Sequence, residues 1–307
     1  MTALGYVIRP EHPPEDLPEL ARRVEAAGFD ELWLWEDCFW SGGVATTGAA
    51  LAATSTLRVG LGITPAPMRN PATLAMEIAA LARLHPGRFL PGIGHGVAEW
   101  MRQIGALTAS QLTLIEETIA AVRALLAGDE VTVSGRYVKL DRVKLEQPPA
   151  QAPPVSAGVR RPKSLAISGR VADGTILAEP APVEYVRWAR KHIAATRPHR
   201  LTVYAWYAMD ADGAAARESV REVAAGHFRR GGPHVDALGL SVDDEPIRDE
   251  WIDRLGVVVG TPEECAAGIG ELAAAGADAI PLCSPHPKPP PEDIDRLGRE
   301  LLPLLRP

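Results

Sequence analysis

A strand–helix–strand unit over residues 57–96 constrains the fold of this chain more than any other feature. An apolar run over 57–63 is followed by a proline-rich loop, which can neither pair in a sheet nor continue a helix. Strong helix formers occupy 72–84, and a second apolar run follows over 88–93. This run ends in three alternate glycines: Gly92, Gly94 and Gly96. The order of strand, crossover helix and strand predicts that the two strands lie parallel.

The same alternation of strands and helices recurs along all 307 residues. Eight apolar runs of strand type are each followed by a helix or a longer excursion: 4–8, 31–36, 57–63, 88–93, 155–159, 174–178, 201–209 and 279–283. Eight such units in a chain of this length predict one TIM (β/α)8 barrel domain over residues 1–307. A doubly wound open α/β sheet is the alternative that this pattern leaves.

Two segments interrupt the alternation. Residues 130–146 alternate at period two around Ser134-Gly135, which predicts a β-hairpin outside the barrel. Residues 210–256, after the seventh predicted strand, are polar with helical character, so we expect a helical insertion there. Its part 228–250 would form either an ordered lid or a disordered segment, and composition does not distinguish the two.

Charge and cysteine usage restrict the class of partner. The formal net charge of −7 disfavours nucleic acid and anionic membrane surfaces. No apolar run reaches membrane-spanning length, and the N-terminus lacks the basic start and apolar core of a signal peptide. The three cysteines are scattered and form no CxxC pair. We therefore expect a cytoplasmic protein that acts on a small-molecule substrate.

Common catalytic motifs are absent from the sequence. The eight histidines never fall at HxxxH or HExxH spacing, and no cluster of cysteine and histidine forms, so we expect no metal site. GxSxG and the Walker loop are also missing. Without a metal or an activated nucleophile, difficult chemistry would have to come from an organic cofactor.

In a TIM barrel, chemistry belongs to the loops that follow the strands. Asp37 follows the second predicted strand, where a carboxylate either caps the loop or orients a substrate and exchanges a proton. His95, between glycines, either polarises a carbonyl group or is structural, and Glu99 is the next candidate. Cys38 is more typical of a small buried residue than of a nucleophile.

The segment 159–164 is the best candidate anion site. Three cations, Arg160, Arg161 and Lys163, stand at the predicted start of a helix, where backbone N–H groups also favour phosphate. A solvated basic first turn is the plain alternative. The position after a fifth barrel strand favours the phosphate interpretation.

Four segments resemble the luciferase-like monooxygenase superfamily: ELWLWEDCFW at 31–40, the unit at 58–96, SAGVRRPKSLAISGRVADGTILAE at 156–179, and GTPEECAAGI at 260–269. Within it they are most similar to oxidoreductases that use the deazaflavin coenzyme F-420, in the methylenetetrahydromethanopterin reductase-like branch. FMN-dependent members share the same segments, so FMN is the alternative cofactor.

The resemblance implies a cofactor ring at the C-terminal mouth of the barrel and a homodimer in solution. It implies a non-proline cis peptide at Gly62–Ile63 behind the ring, with the phosphate held by the segment 158–164. Asp37 matches the family's acidic residue near the ring. Histidine often follows that residue in the family, whereas Cys38 follows it here.

The interpretation is hydride transfer between coenzyme F-420 and an organic substrate, with an FMN-dependent monooxygenase or a non-catalytic flavin-binding protein as alternatives. The candidate catalytic residues are Asp37, His95 and Glu99. The candidate cofactor-binding residues are Gly62, Ile63, Thr64, Gly94, Gly96, Gly158, Val159, Arg160, Arg161, Lys163, Ser164 and Glu179. The candidate substrate pocket consists of Glu11, Cys38, Trp40 and Trp100.

Overall fold

The strands form a closed ring in the computed structural model, which describes residues 2–240, 247–256 and 258–306. The strands are β1 Ala3–Val7, β2 Glu31–Leu34, β3 Arg58–Pro65, β4 Phe89–Gly94, β5 Val131–Ser134, β6 Lys139–Val143, β7 Ser156–Gly158, β8 Gly174–Leu177, β9 Arg200–Val203, β10 Ala205–Met209, β11 Val258–Gly260 and β12 Ala279–Cys283. The parallel order is β1-β2-β3-β4-β7-β8, then β9 with β10, then β12, which pairs again with β1.

One wall of the ring consists of two short strands. β9 pairs with β12 at Thr202, and β10 pairs with β12 from Ala205 onward, so the two occupy one position interrupted at Tyr204. The ring therefore has eight positions and closes at Ala3 opposite Ala279. The predicted TIM barrel is confirmed, and the open-sheet alternative is wrong.

Helices cover the outside of the ring. They are α1 Leu17–Ala26, α2 Gly43–Ala53, α3 Pro71–Leu84, α4 Ala98–Gln103, α5 Gln111–Leu126, α6 Pro162–Val171, α7 Val183–Ile193, α8 Gly213–Arg230, α9 Pro233–Asp236, α10 Asp249–Gly256, α11 Pro262–Ala274, α12 Glu292–Glu300 and α13 Leu302–Leu305. α11 begins with the expected capping box, since Thr261 Oγ1 accepts from Glu264 N at 3.3 Å and Glu264 Oε2 accepts from Thr261 N at 2.7 Å. No helix in the described ranges is long and apolar enough to span a membrane.

The predicted hairpin is confirmed: β5 and β6 pair antiparallel outside the ring. Glu117 of α5 anchors it, because its carboxylate accepts hydrogen bonds from three consecutive backbone N–H groups of the turn, at residues 136–138.

The insertion after the seventh barrel strand also forms, with α8, α9 and α10 packed around Trp206, Phe228 and Trp251. A strand that the sequence pattern did not indicate follows the insertion: β11 has only three residues and pairs with the outer edge of β10. Of the segment considered as a lid, residues 241–246 lie outside the described residues.

Two layers of side chains fill the barrel. An inner cluster of Val7, Trp33, Leu90, Ile176, Tyr204 and Cys283 occupies the interior below the mouth. Below it, at the start of β2, Glu31 is completely buried and accepts from Trp33 Nε1 at 2.9 Å. Two arginines neutralise this carboxylate, Arg58 at 2.9 Å and Arg200 at 2.5 Å. The interior is thus packed and closed from below, which leaves the opposite end for a ligand.

Candidate active site

A bulge in β3 forms the floor of the barrel mouth. The Gly62–Ile63 peptide is cis, as the resemblance implied, and the pairing of β3 with β4 shifts register between Leu61 and Thr64. The Ile63 side chain lies across the ends of β4 and β7. A Cβ at Gly158 would stand 2.2 Å from Ile63 Cγ2, and one at Gly94 would stand 2.6 Å from Ile63 Cγ1. Both glycines are therefore required to make room for this side chain.

A cavity of about 750 Å³ opens above this floor, in the size range of sites for small organic ligands. Its lining comes from the ends of β2, β3, β4, β7 and β8 and from the starts of α4, α5 and α6: Glu36, Asp37, Gly62, Ile63, His95, Gly96, Val97, Trp100, Gln111, Leu112, Gly158, Val159, Arg160, Arg161, Pro162, Lys163, Ser164, Ile176 and Ala178. The cavity has an apolar floor and one basic end.

The basic end is the first turn of α6. Arg160 is held in place from two sides, because its Nη2 donates to the Glu179 carbonyl at 2.7 Å and its carbonyl accepts from Tyr185 Oη at 2.8 Å. Ser164 Oγ caps the turn by accepting from the Arg161 N–H at 3.3 Å, and it also donates to the Arg161 carbonyl at 3.0 Å. Lys163 is exposed beside them. A fixed guanidinium, two exposed cations beside it and a helix start together favour an anionic group at this end.

Asp37 stands at the opposite side, where β2 ends. Its Oδ2 accepts from Trp35 Nε1 at 2.9 Å. Burial raises the pKa of the Asp37 carboxyl, and the nearby Glu11 carboxylate adds to that rise, while the Trp35 hydrogen bond and Arg9 oppose it. A carboxyl with a raised pKa at a cavity wall is suited to proton exchange with a ligand.

Glu36, the preceding residue, has the opposite electrostatic character. Burial alone would raise the pKa of this carboxyl, but hydrogen bonds from Arg69, Thr64 and the Gly43 N–H outweigh it and hold the pKa below its ordinary value. Both residues line the cavity, but Glu36 therefore stays ionised and engaged by protein donors, whereas the Asp37 carboxyl keeps a raised pKa.

His95 lines the cavity between Asp37 and the basic end. Burial lowers the pKa of the imidazole, with a smaller opposing effect from the Gln111 backbone, so the ring is neutral near pH 7. Its Nδ1 is buried and has no hydrogen-bond partner within the described ranges. An unpartnered buried nitrogen at a cavity wall is suited to bind a polar group of a ligand.

Several predicted site residues lie outside the cavity lining. Glu99 pairs with Arg102 on the exposed side of α4, and Trp40 is 58% exposed. Cys38 is buried, with its Sγ 3.8 Å from Met68 Sδ. These three side chains therefore do not face the cavity in this structure.

The remaining predicted residues outside the lining serve their neighbours, and one of them, Gly94, makes room for Ile63. Thr64 is buried and donates to Glu36 Oε2 at 2.6 Å. Glu11 pairs with Arg9 at 2.8 Å. The Glu179 carbonyl holds Arg160, and burial raises the pKa of the Glu179 carboxyl.

Some lining residues were not among the predicted site residues: Glu36, Val97, Gln111, Leu112, Pro162, Ile176 and Ala178. Gln111 and Leu112 reach the cavity because α5 begins beside the mouth, which only the tertiary fold determines. Glu36 offered a signal, since it directly precedes Asp37 at a strand end. In the described ranges, no group of three or more histidine, cysteine, aspartate or glutamate side chains could hold a metal ion.

Comparison with known proteins agrees with this architecture. The family model described as luciferase-like monooxygenase matches residues 2–279. The chain belongs to the luciferase-like monooxygenase family. One relative is the 5,10-methylenetetrahydromethanopterin reductase of Methanolobus tindarius, which is 28% identical over 97% of this chain and 99% of its own length.

Two solved structures share the fold of this family member. The coenzyme F-420-dependent tetrahydromethanopterin reductase from Methanopyrus kandleri superposes with a TM-score of 0.82 at 21% identity, over 99% of each chain. An F-420-dependent secondary alcohol dehydrogenase, solved with an F-420–acetone adduct, superposes with a TM-score of 0.80 at 24% identity, over 100% of this chain and 99% of that one.

Proposed function

We propose that this protein is an oxidoreductase that uses coenzyme F-420 to reduce or oxidise an organic substrate at the mouth of the barrel. The observation that carries the proposal is that one cavity is lined by Asp37, by Ile63 and by the basic start of α6. The relatives named as F-420-dependent enzymes support the choice of cofactor. When bound, coenzyme F-420 would supply two-electron hydride chemistry at its deazaflavin ring.

The residues present fit such a cofactor. Arg160 and Lys163, with the first turn of α6, would hold a phosphate group. Ile63 offers an apolar surface for a flat ring, and Gly158 keeps that surface clear of side chains. The unpartnered Nδ1 of His95 would bind a polar edge of the ring.

Other side chains would act on the substrate. Asp37 would orient it or exchange the proton that accompanies the redox step, because its carboxyl has a raised pKa and faces the cavity. Trp100 and Val97 at the rim would exclude water from the ring. Positioning would supply much of the rate enhancement, as in other cofactor enzymes.

A pair of titrations tests the proposal. Coenzyme F-420 and FMN are each titrated against the wild type, an Arg160→Ala/Lys163→Ala variant, and an Arg170→Ala/Lys191→Ala control. Arg170 lies at the far end of α6 and pairs with Glu116, and Lys191 is exposed on α7, so the control removes one arginine and one lysine that do not line the cavity. We expect tight F-420 binding that the first variant weakens by about 100-fold and the control by clearly less.

Other outcomes would point elsewhere. Preference for FMN would assign the protein to flavin-dependent monooxygenases within the same barrel. Tight F-420 binding with no reduction or oxidation of any substrate, unchanged in Asp37→Asn, would indicate a carrier or sensor. Binding of neither cofactor would contradict the proposal.

We also propose that the protein forms a homodimer through its early helices. Met76 is 61% exposed and Leu84 is 71% exposed on α3, which supports an apolar contact there. Light scattering on the purified protein should give twice the mass of one chain, and Met76→Lys should shift it towards the monomer.

A further inference from the structure

A buried ion pair at the cavity wall, between Glu36 and Arg69, takes no part in the chemistry proposed above. Glu36 is 5% exposed, and both its oxygens are occupied. Oε1 accepts from the Gly43 N–H at 2.9 Å and from Arg69 Nη2 at 2.7 Å. Oε2 accepts from Arg69 Nη1 at 2.6 Å and from Thr64 Oγ1 at 2.6 Å. The Arg69–Glu36 contact is therefore bidentate, the most directional form of this pair.

The donors come from three separate parts of the rim. Gly43 begins α2, Thr64 belongs to the β3 bulge, and Arg69 lies in the turn before α3. Arg69 Nη1 also donates to Thr64 Oγ1 at 2.9 Å, and the Glu36 backbone N–H donates to the Ile63 carbonyl at 3.0 Å. Glu36 thus links the end of β2 to the bulge through both its side chain and its backbone.

These contacts are adjacent in sequence to two residues of the proposed site. Glu36 directly precedes Asp37, and Thr64 directly follows Ile63. The network therefore fixes the backbone next to the proposed proton-exchange group and next to the floor of the cofactor cavity. We infer that Glu36 and Arg69 are positioning residues that set the distance between Asp37 and the Ile63 floor. The part that concerns the cofactor rests on the proposed function, whereas the position of Asp37 does not.

Stability alone is a poor explanation for this pair. Burying two charges is costly, and a well-packed apolar pair of similar size is often as stable or more so. In contrast, an error of about 1 Å in the placement of reacting groups can cost about 100-fold in rate. A positioning role therefore predicts effects on Asp37 and on cofactor affinity that a structural role does not.

The indole N–H of Trp35 reports the position of Asp37 directly, because it donates to Asp37 Oδ2 at 2.9 Å. The experiment records the indole N–H spectrum of the ligand-free protein, with the Trp35 signal assigned by its loss in Trp35→Phe. It compares the wild type with Glu36→Gln, Arg69→Lys and Glu77→Gln. Glu77 is the matched control, since it pairs with the same arginine through Nε at 3.0 Å but takes no part in the hydrogen bonds of the Glu36 carboxylate.

We expect the Trp35 signal to shift in Glu36→Gln and Arg69→Lys, and to stay in place in Glu77→Gln. Coenzyme F-420 titrations of the same proteins should show affinity weakened by about 10-fold in the first two and by less than about 2-fold in the control. Urea denaturation confirms that each variant is folded. A folded Glu36→Gln protein with an unmoved Trp35 signal would overturn the inference. If the wild type itself bound no F-420, the proposed function would fail, while the spectrum would still decide whether Glu36 positions Asp37.

Discussion

The two ends of β2 place carboxylates in matching positions with opposite consequences. Glu31 begins the strand and accepts from the indole of Trp33, two residues on. Asp37 follows the strand and accepts from the indole of Trp35, two residues back. Glu31 is also paired with two arginines, whereas Asp37 forms no ion pair with any residue that the structure describes.

This difference in ion pairing gives Glu31 a structural role and leaves Asp37 for a chemical role. At the bottom of the barrel the Glu31 carboxylate is completely buried and paired with two arginines, so it can hold strands together but is out of reach of a ligand at the mouth. At the mouth, Arg9 is already paired with Glu11, and Asp37 is left with a raised pKa beside an open cavity. The same pair of residue types therefore serves the fold at one end and the site at the other.

The largest expected effect is on turnover in Asp37→Asn. The amide keeps the hydrogen bond from Trp35 but cannot exchange a proton, so kcat should fall about 100-fold to 1,000-fold. The rate is read from the absorbance change of coenzyme F-420, with a substrate found by screening the wild type. The urea midpoint should stay at the wild-type value or rise slightly, and a large fall in that midpoint would mean that Asp37 serves the fold instead.

Glu31→Ala should reverse that pattern. Removing the buried carboxylate leaves two arginines and an indole N–H without their partner, which should lower the free energy of unfolding by about 3 kcal/mol. Urea denaturation measures the loss. F-420 affinity of the folded fraction should remain within about 2-fold of wild type, and a selective loss of binding with unchanged stability would contradict the separation of roles.

Gly158→Ala should distort the barrel mouth through a steric clash. The new methyl group would meet Ile63, at a separation of 2.2 Å from Cγ2, so we expect a loss of about 2 kcal/mol in stability together with weaker F-420 binding. The double variant Gly158→Ala/Ile63→Ala removes the clash and should recover stability relative to Gly158→Ala. Failure to recover would show that Ile63 is not the residue that requires glycine there.

The smallest expected effect is on the pH dependence of folding stability, which should have opposite signs for Asp37 and Glu36. The pKa of Asp37 is raised in the folded protein, so its stabilising influence is present at low pH and is lost as pH rises through the folded pKa. The pKa of Glu36 is lowered, so its contribution is present above the unfolded pKa and is lost as pH falls through the folded pKa.

Asp37→Asn should therefore be slightly more stable than the wild type at pH 7, by less than about 1 kcal/mol, and the gain should vanish near pH 3.5. Glu36→Gln should be less stable at pH 7, with the deficit shrinking in acid. Urea denaturation at a series of pH values measures both. Parallel pH trends in the two variants would contradict the assigned shifts.

Much of the fold could be predicted from the sequence because its signals are local. The eight barrel strands coincide with apolar runs, the hairpin with a period-two pattern, and α11 with its capping box. β11 could not be predicted, since three residues carry no periodicity and its pairing partner lies about fifty residues earlier in the chain. α4 has only six residues, which is too short for a helical period to be recognised in the sequence.

The site was predictable to a lesser extent. Asp37, His95 and Arg160 could be located, because strand ends and helix starts are visible in the chain and converge in a barrel. The Glu36–Arg69 pair could not, because its partners stand 33 residues apart and neither carries a local signal for the other. Gln111 and Leu112 were missed for the same reason, since only packing brings α5 to the mouth.

Diffraction from crystals grown with coenzyme F-420 tests the central claim most directly. The account predicts electron density for the ring against Ile63, within reach of Asp37 and His95. It predicts the phosphate at the first turn of α6, beside Arg160 and Lys163. Cofactor density elsewhere on the molecule, or a phosphate away from α6, would contradict the assignment of the mouth as the redox site.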